Sequence, residues 1–354
     1  GRVVLRCQAA DSVVGLPSGF FDTVVLNSVV QYFPSGGYLA RVLEQLLDLV
    51  VPGGRVLIGD VRNLLTAESL HTAVQRTRYK VDDTGLAVAV RQALHREREL
   101  LIAPGYFEAL GKRDERIGAV DIRLKQGASH NELTRHRYEV VLHKTPVDTV
   151  PAEKVRTLGW GTDIFSLDDV QAPTESPVRI TGIPNARLAS EAGQPTVSAV
   201  DPHDVAAWAD RLGVIAYPTW SPSADQFDVI VLPSQLAGKP VAGLRISAEE
   251  SEQDDLVNVP FAALASEELM ASVRSHVAGR LPDYMVPSAL VAIPEIPLNP
   301  NGKLDRRGLP VPVVSRVVGG GGVSPVEVVL CGLFGEVLGV GGVGVDDDFF
   351  GLGG

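Results

Sequence analysis

Cysteine is scarce. The chain has two in 354 residues, Cys7 and Cys331, far apart and without companion ligands. That excludes a disulfide framework and a cysteine-based zinc site. No apolar run reaches the ~20 residues that a membrane-spanning helix needs, and no signal peptide is visible, so the cytoplasm is the expected compartment. Basic residues are outnumbered: 32 Lys and Arg against 43 Asp and Glu give a net charge of −11, with a pI of about 5.2. That sign repels nucleic acid and anionic membranes, and neither is an expected partner. An initiating Met is absent as well. The chain opens at Gly1 and reads as strand from Val3, as expected of an internal piece of a longer polypeptide.

What is there is ordinary in bulk, 45% hydrophobic and 21% charged, and the length predicts two or three globular domains. The organising stretch is Phe21 to Pro34. Val24, Val25 and Leu26 form an apolar run of the kind buried on both faces of a parallel sheet. Asn27, Ser28 and Gln31 follow at its carboxyl end, where open α/β sheets place their ligands. After Ser35-Gly36-Gly37, the residues Leu39, Val42, Leu43, Leu46, Leu47 and Val50 recur at helical spacing, opposite Arg41, Glu44, Gln45 and Asp48. Pro52-Gly53-Gly54 is the expected stop, and Arg55 to Asp60 the next parallel strand. Strand, helix and strand make one βαβ unit, so Asn27 to Gln31 and Asp60 to Asn63 are expected on the same sheet edge.

The rest is read in order. Residues 3–10 read as a strand ending at Asp11. Leu70, Val74 and Gly85 to Leu101 read as helical, and Ala103 to Phe107 as a break. Val120 to Leu124 and Tyr138 to Leu142 read as strands that put an antiparallel edge on the sheet, with the polar segment Asn131 to Arg135 between them. Prolines punctuate residues 145–240, a small α/β extension with strands at Val178 to Ile180, Val214 to Ala216 and Phe227 to Leu232. It also carries a helix opened by Asp201-Pro202, with Val205, Trp208, Ala209 and Leu212 as its stripe. From residue 241 comes a further unit: a helix capped by Ser266, a short strand Ala289 to Ile293, and the loop Pro297 to Arg307. Gly319 to Gly322 is a flexible linker. Ser324-Pro325-Val326-Glu327 is a capping box opening a last helix, with Val326, Leu330, Leu333, Phe334, Val337 and Leu338 on one face.

Several stretches carry a resemblance. Leu281 to Pro287, followed by Asn299-Pro300-Asn301-Gly302-Lys303-Leu304-Asp305-Arg306, resembles the last two core motifs of adenylation domains in nonribosomal peptide synthetases. The tail Val345 to Gly354 resembles the approach to the phosphopantetheine site of a peptidyl carrier protein, ending before the attachment Ser. Phe21 to Pro34, Gly59 to Leu64 and His130 to Arg135 resemble the methyltransferase domains inserted late in such adenylation domains. The Gly-rich loop and ribose-binding acid of that family have no counterpart here. The resemblance implies a mixed α/β fold class: a partial Rossmann-like class I methyltransferase sheet with an α/β extension, a small α+β adenylation subdomain and a truncated carrier helix. Its segments are 1–145, 146–240, 241–312, the linker 313–323, and 324–354. It implies S-adenosylmethionine, ATP with Mg and phosphopantetheine as cofactors. The implied partners are an aminoacyl thioester on a carrier, neighbouring synthetase domains and a small activating accessory protein.

The site residues follow from strand ends and from the resemblance. Asp11 is placed to accept from an adenine amine or a ribose; a turn carboxylate is the alternative. Asn27, Gln31 and Tyr32 line the implied donor and acceptor pocket, and Tyr32 and Phe33 offer faces to a sulfonium charge, unless they merely cover the helix from Tyr38 to Val50. Asp60 and Arg62 stand at the next strand end, Arg62 alternatively as a structural ion-pair partner. His71 is the first candidate base and Glu132 the second, against a satisfied helix His and a salt bridge from Glu132 to Arg135. Lys303 matches the Lys that reaches substrate carboxylate and nucleotide in adenylate-forming enzymes, with a solvated surface Lys as the alternative. The expected reaction of the whole is amino-acid activation and N-methylation. The alternatives are O- or C-methylation and a noncatalytic scaffold with incomplete cofactor sites.

Overall fold

The computed structural model describes residues 3–78, 83–150, 155–192, 198–240, 256–260, 267–282, 285–287, 289–293, 296–297, 304–306, 309, 324–338 and 343–345. The chain divides into two compact units, Gly1–Phe261 and Ala262–Gly354.

In the first unit β1 (Phe21–Asn27) runs parallel to β2 (Val50–Arg62), and α1 (Gly36–Leu49) crosses between them. Ser35 caps α1 by accepting from the Tyr38 amide, and Leu39, Val42, Leu43, Leu46 and Leu47 are buried, as their spacing dictates. The helix stops at Leu49. Pro52-Gly53-Gly54 therefore lies inside β2 instead of ending the helix, with Gly53 at φ +77° making the turn. β1 is the sheet's outer strand, and Val25 is 55% exposed, so the run Val24 to Leu26 is not buried on both faces. An edge strand covered on one side keeps only alternate residues dry. Residues 3–9 are irregular, not strand.

After β2 come α2 (Ala67–Arg78), α3 (Asp83–His95) and α4 (Gly105–Arg113), then β3 (Ile117–Leu124), the one-turn α5 (Glu132–His136) and β4 (Arg137–Lys144). Helix ends at His95, short of Leu101, and Gly105 begins a helix where a break was expected. Asn131 closes a capping box with Thr134, which turns the polar segment into α5. The strand order is β1-β2-β4-β3. β4 is the antiparallel strand and is interior; β3, antiparallel to it, runs the same way as β1 and β2.

Residues 155–232 repeat this plan. β5 (Arg156–Gly159) is parallel to β6 (Val178–Pro184), and the order β5-β6-β8-β7 places antiparallel β8 (Gln226–Leu232) between β6 and β7 (Ile215–Trp220). The match extends to detail. The β2–β4 register shifts between Ile58 and Val61, and the β6–β8 register shifts between Ile180 and Ile183. The residue in the left-handed region is Asp60 (φ 62°) in one and Gly182 (φ 75°) in the other. Asn63 bridges Ile102 and Asn185 bridges Val200, both in parallel. Each Asn caps the turn that follows, accepting from Leu65 at 3.0 Å and from Arg187 at 3.1 Å. What was read as an extension is a second half-sheet, stripped of the α1 crossover. α6 (Ala186–Ala192) follows β6 and α7 (Asp204–Leu212) precedes β7; Asp201, expected to cap α7, accepts instead from the His203 amide just before it. Equivalent elements of the two halves touch: β3 packs on β7, with the Arg123 guanidinium 4.4 Å from the centre of the Tyr217 ring, and α2 packs on α6. One continuous core runs through both. Leu256 to Asn258, which the sequence reading places in the segment starting at 241, strap this unit: Ile102 pairs with Val257, and Asn258 Oδ1 accepts from the Leu101 amide at 2.7 Å.

In the second unit the described helices are α8 (Glu267–Ala278) and α9 (Pro325–Leu338). Ser324 and Glu327 form the capping box expected of them, at 3.3 and 2.8 Å. Ala289 to Ile293 is irregular instead of strand. Lys303, Ser266, the linker 313–323 and the acidic run Asp346 to Asp348 lie outside the described residues. Among the described residues no helix is long and apolar enough to cross a membrane.

Candidate functional site

The carboxyl ends of β1, β2 and β3 open on one edge of the first half-sheet, because all three run the same way. Asn27 pairs with Gly59 across β1 and β2, and the Ser28 amide donates to the Gly59 carbonyl at 3.2 Å. Ser28 (φ 56°) and Asp60 (φ 62°) are the two non-glycine residues held in the left-handed region among the described residues. Each such residue stores on the order of 1 kcal/mol or more and persists where the surroundings over-determine it. They face each other: Ser28 Oγ donates to Asp60 Oδ2, and Lys125 Nζ, one residue beyond β3, donates to Asp60 Oδ1. Lys125 also lies 3.5 Å from Glu139. Burial pushes the Asp60 carboxyl up, but Lys125 and Ser28 outweigh it and hold it below the usual carboxylate range. The second half-sheet puts Gly182 at this position, where the backbone asks for glycine. The first half-sheet keeps a charged side chain there in spite of the strain.

Beside this cluster is a second one. Arg62, buried, pairs with Glu97 at 3.1 Å and Glu99 at 3.0 Å, and its Nε lies 3.8 Å from Glu132. Glu97 is also 3.2 Å from His71 Nε2, and its other oxygen accepts from the Glu99 amide at 3.0 Å. Burial works against the ionised Glu97, yet His71, the amide and Arg62 lower its pKa to about 2. Glu132 pairs with Arg137 at 2.8 Å, not with Arg135, which turns to Glu191 at 3.5 Å.

Gln31 is buried one turn past β1. Its Nε2 donates to the Ser28 carbonyl at 3.1 Å, while Oε1 has no hydrogen-bond partner among the described residues; nor does Asn63 Nδ2. A buried amide oxygen and a buried amide nitrogen left open at two strand ends are an acceptor and a donor of the kind the edge of a nucleoside base requires. Tyr32 is 71% exposed, whereas Phe33 is buried edge-on against Tyr38 and covers α1. Asp11 is exposed and bonds the Tyr38 hydroxyl; burial first, and then this carboxylate, raises the Tyr38 pKa.

The structure thus gathers Asn27, Gln31 and Asp60 along one edge and links Arg62 to His71 through Glu97, with Glu132 on the far side of Arg62. Asp11 sits apart, against Tyr38 of α1. Sequence reasoning passed over Lys125 and Glu97. Lys125 follows a strand directly, a usable signal once the direction of β3 is known. Glu97 was hidden inside a helix read as six residues too long.

No model of a known protein family matches the chain. Over its whole length it is 42% identical to a "probable non-canonical nonribosomal peptide synthetase" of Salinispora arenicola, of which it spans 4%. It is 33% identical, again throughout, to 10% of chondramide synthase from Chondromyces crocatus. Over 94% of its length it is 31% identical to 12% of the beauvericin nonribosomal cyclodepsipeptide synthetase of Gibberella fujikuroi. Its relatives are nonribosomal peptide synthetases. The alignments to the first two synthetases cover both half-sheets and the second unit alike. A SAM-dependent methyltransferase from Methanosarcina mazei aligns with 39% of this chain and 65% of its own, at 15% identity and a TM-score of 0.25.

Proposed function

We propose that the chain is a segment of a nonribosomal peptide synthetase that combines methyl transfer with amino-acid activation. In this reading residues 1–145 are the latter portion of an S-adenosylmethionine-dependent methyltransferase and 146–240 its companion half-sheet. Residues 241–312 complete an adenylation domain, 313–323 are a linker, and 324–354 begin a peptidyl carrier. The observation that carries the reading is the 42% identity to a synthetase over every residue of the chain. The acceptor is the α-amine of an aminoacyl thioester held on the carrier's phosphopantetheine. Bound S-adenosylmethionine supplies a methyl group already activated by its sulfonium.

The chain's own residues bind, orient and deprotonate. Asn27 and the open Gln31 Oε1 accept from the nucleoside, with Arg62 at the next strand end. Tyr32, exposed at the strand end, offers an aromatic face to positive charge. Asp60, kept ionised by Lys125 and Ser28, accepts from a hydroxyl or an ammonium. A carboxylate on Nε2 fixes the tautomer of a neutral His and leaves Nδ1 as an acceptor, so His71 is the favoured base. Glu132, already engaged by Arg137, shapes the rim. In the adenylation half, ATP with Mg is the co-substrate and Lys303 neutralises charge as the acyl phosphate forms.

Isothermal titration of S-adenosylmethionine, into this chain and into the intact synthetase, tests the methyltransferase half. Binding by the synthetase is expected, with a one-methyl mass gain on the carrier-bound amino acid. Absence of binding by both overturns it.

A further inference from the structure

Arg187 belongs to the second half-sheet, yet every hydrogen bond traced from its guanidinium but one reaches the first. It is fully buried. Nη1 donates to the Lys125 carbonyl at 2.8 Å and the Thr134 carbonyl at 3.0 Å, Nη2 donates to the Gly127 carbonyl at 2.9 Å, and Nε donates to Asp201 Oδ1 at 2.9 Å. The other Asp201 oxygen lies 2.5 Å from His130 Nε2, so the same pair of residues grips the loop at four points between 125 and 134. That loop carries Lys125 at its start and Glu132 near its end. Its middle is tied by the Thr134 hydroxyl, which donates to the Ser129 carbonyl at 2.6 Å. A planar guanidinium donates in several fixed directions at once; an ammonium at the same place cannot reproduce that fork. The equivalent position in the first half-sheet, counted from the capping Asn, is Leu65, so the contact is specific to one half.

We infer that Arg187 is a positioning residue: it sets the 125–134 loop, and through it aims Lys125 at Asp60. The second half-sheet thereby serves the site of the first. The catalytic consequence rests on the methyl-transfer reading above; the positioning does not.

Two measurements separate them. Amide hydrogen exchange of the chain carrying Arg187→Lys is expected to speed up by about tenfold or more across 125–134, while β2 and β8 stay within about twofold of the parent. In the intact synthetase, carrier-bound methylation is followed for Arg187→Lys, Lys125→Met and the double variant. Each single change is expected to lower kcat about tenfold or more, and the double to fall no further than Lys125→Met, within about twofold, because one acts through the other. Asp201→Asn leaves the guanidinium in place but loosens its alignment, and should give the same pattern at smaller amplitude should Arg187→Lys fail to fold. Unchanged exchange in the loop, or losses that multiply in the double variant, overturns the inference. A parent synthetase without methylation overturns the functional reading alone, and the exchange data still decide the positioning.

Discussion

At Glu97 the His71 ring, the Arg62 guanidinium and two backbone amides converge on one carboxylate, and their sum is readable as pH dependence. The group is 9% exposed, and its pKa falls from 4.5 to about 2. A carboxyl with a lower pKa in the folded state binds fewer protons there than when unfolded. Its contribution is therefore complete above pH 4.5 and is lost as pH falls through about 2. The difference amounts to roughly 3 kcal/mol at neutral pH. Urea unfolding of Glu97→Gln against the parent, repeated from pH 7 to pH 2, should show a deficit that shrinks steadily below pH 4.5; a deficit independent of pH would contradict this. Asn27, Gln31 and Asp60 were visible as polar residues at apolar strand ends. Glu97 was not, because nothing local separates a helical Glu from one whose partners lie 26 and 35 positions earlier.

For whole elements, periodicity was a good guide wherever one face is buried. The α1 stripe is as its spacing requires. It failed for β1, whose apolar run faces solvent on one side, for α4, which opens at the Pro104-Gly105 pair read as a break, and for α5, a single turn too short for a pattern to repeat. The approach of β1 to β2 offers a clean probe of the site. Gly59 has no side chain, and a Cβ built there would fall 2.1 Å from Asn27 Oδ1. Gly59→Ala should therefore displace the Asn27 amide while the strands stay paired. The expected result is a weakening of S-adenosylmethionine binding by about tenfold, the loss of about one hydrogen bond, and a stability change below about 1 kcal/mol. Titration calorimetry with matched thermal melts would read both, and unaltered affinity would remove Asn27 from the binding set.

Taken whole, the molecule holds two readings that the sequence could not join. The repeat is confined to short runs, Ile58 to Asn63 against Ile180 to Asn185, and the helix that would betray it is present only once. Strand direction and pairing are properties of the assembled sheet, which is why Lys125 and Arg187 emerged only there. For the segment around Lys303 the proposed role makes its own forecast. In the intact synthetase Lys303→Ala should abolish amino-acid-dependent pyrophosphate exchange and leave methylation of a preloaded carrier unaffected. Exchange at the parental rate would remove Lys303 from adenylation.

β3 and β7, one outer strand of each half-sheet, lie against each other, which leaves β1 and β5 as the outer strands that do not face the other half. Any polypeptide that widens this architecture by strand addition has two berths available, and only the one at β1 adjoins the charged cluster around Asp60.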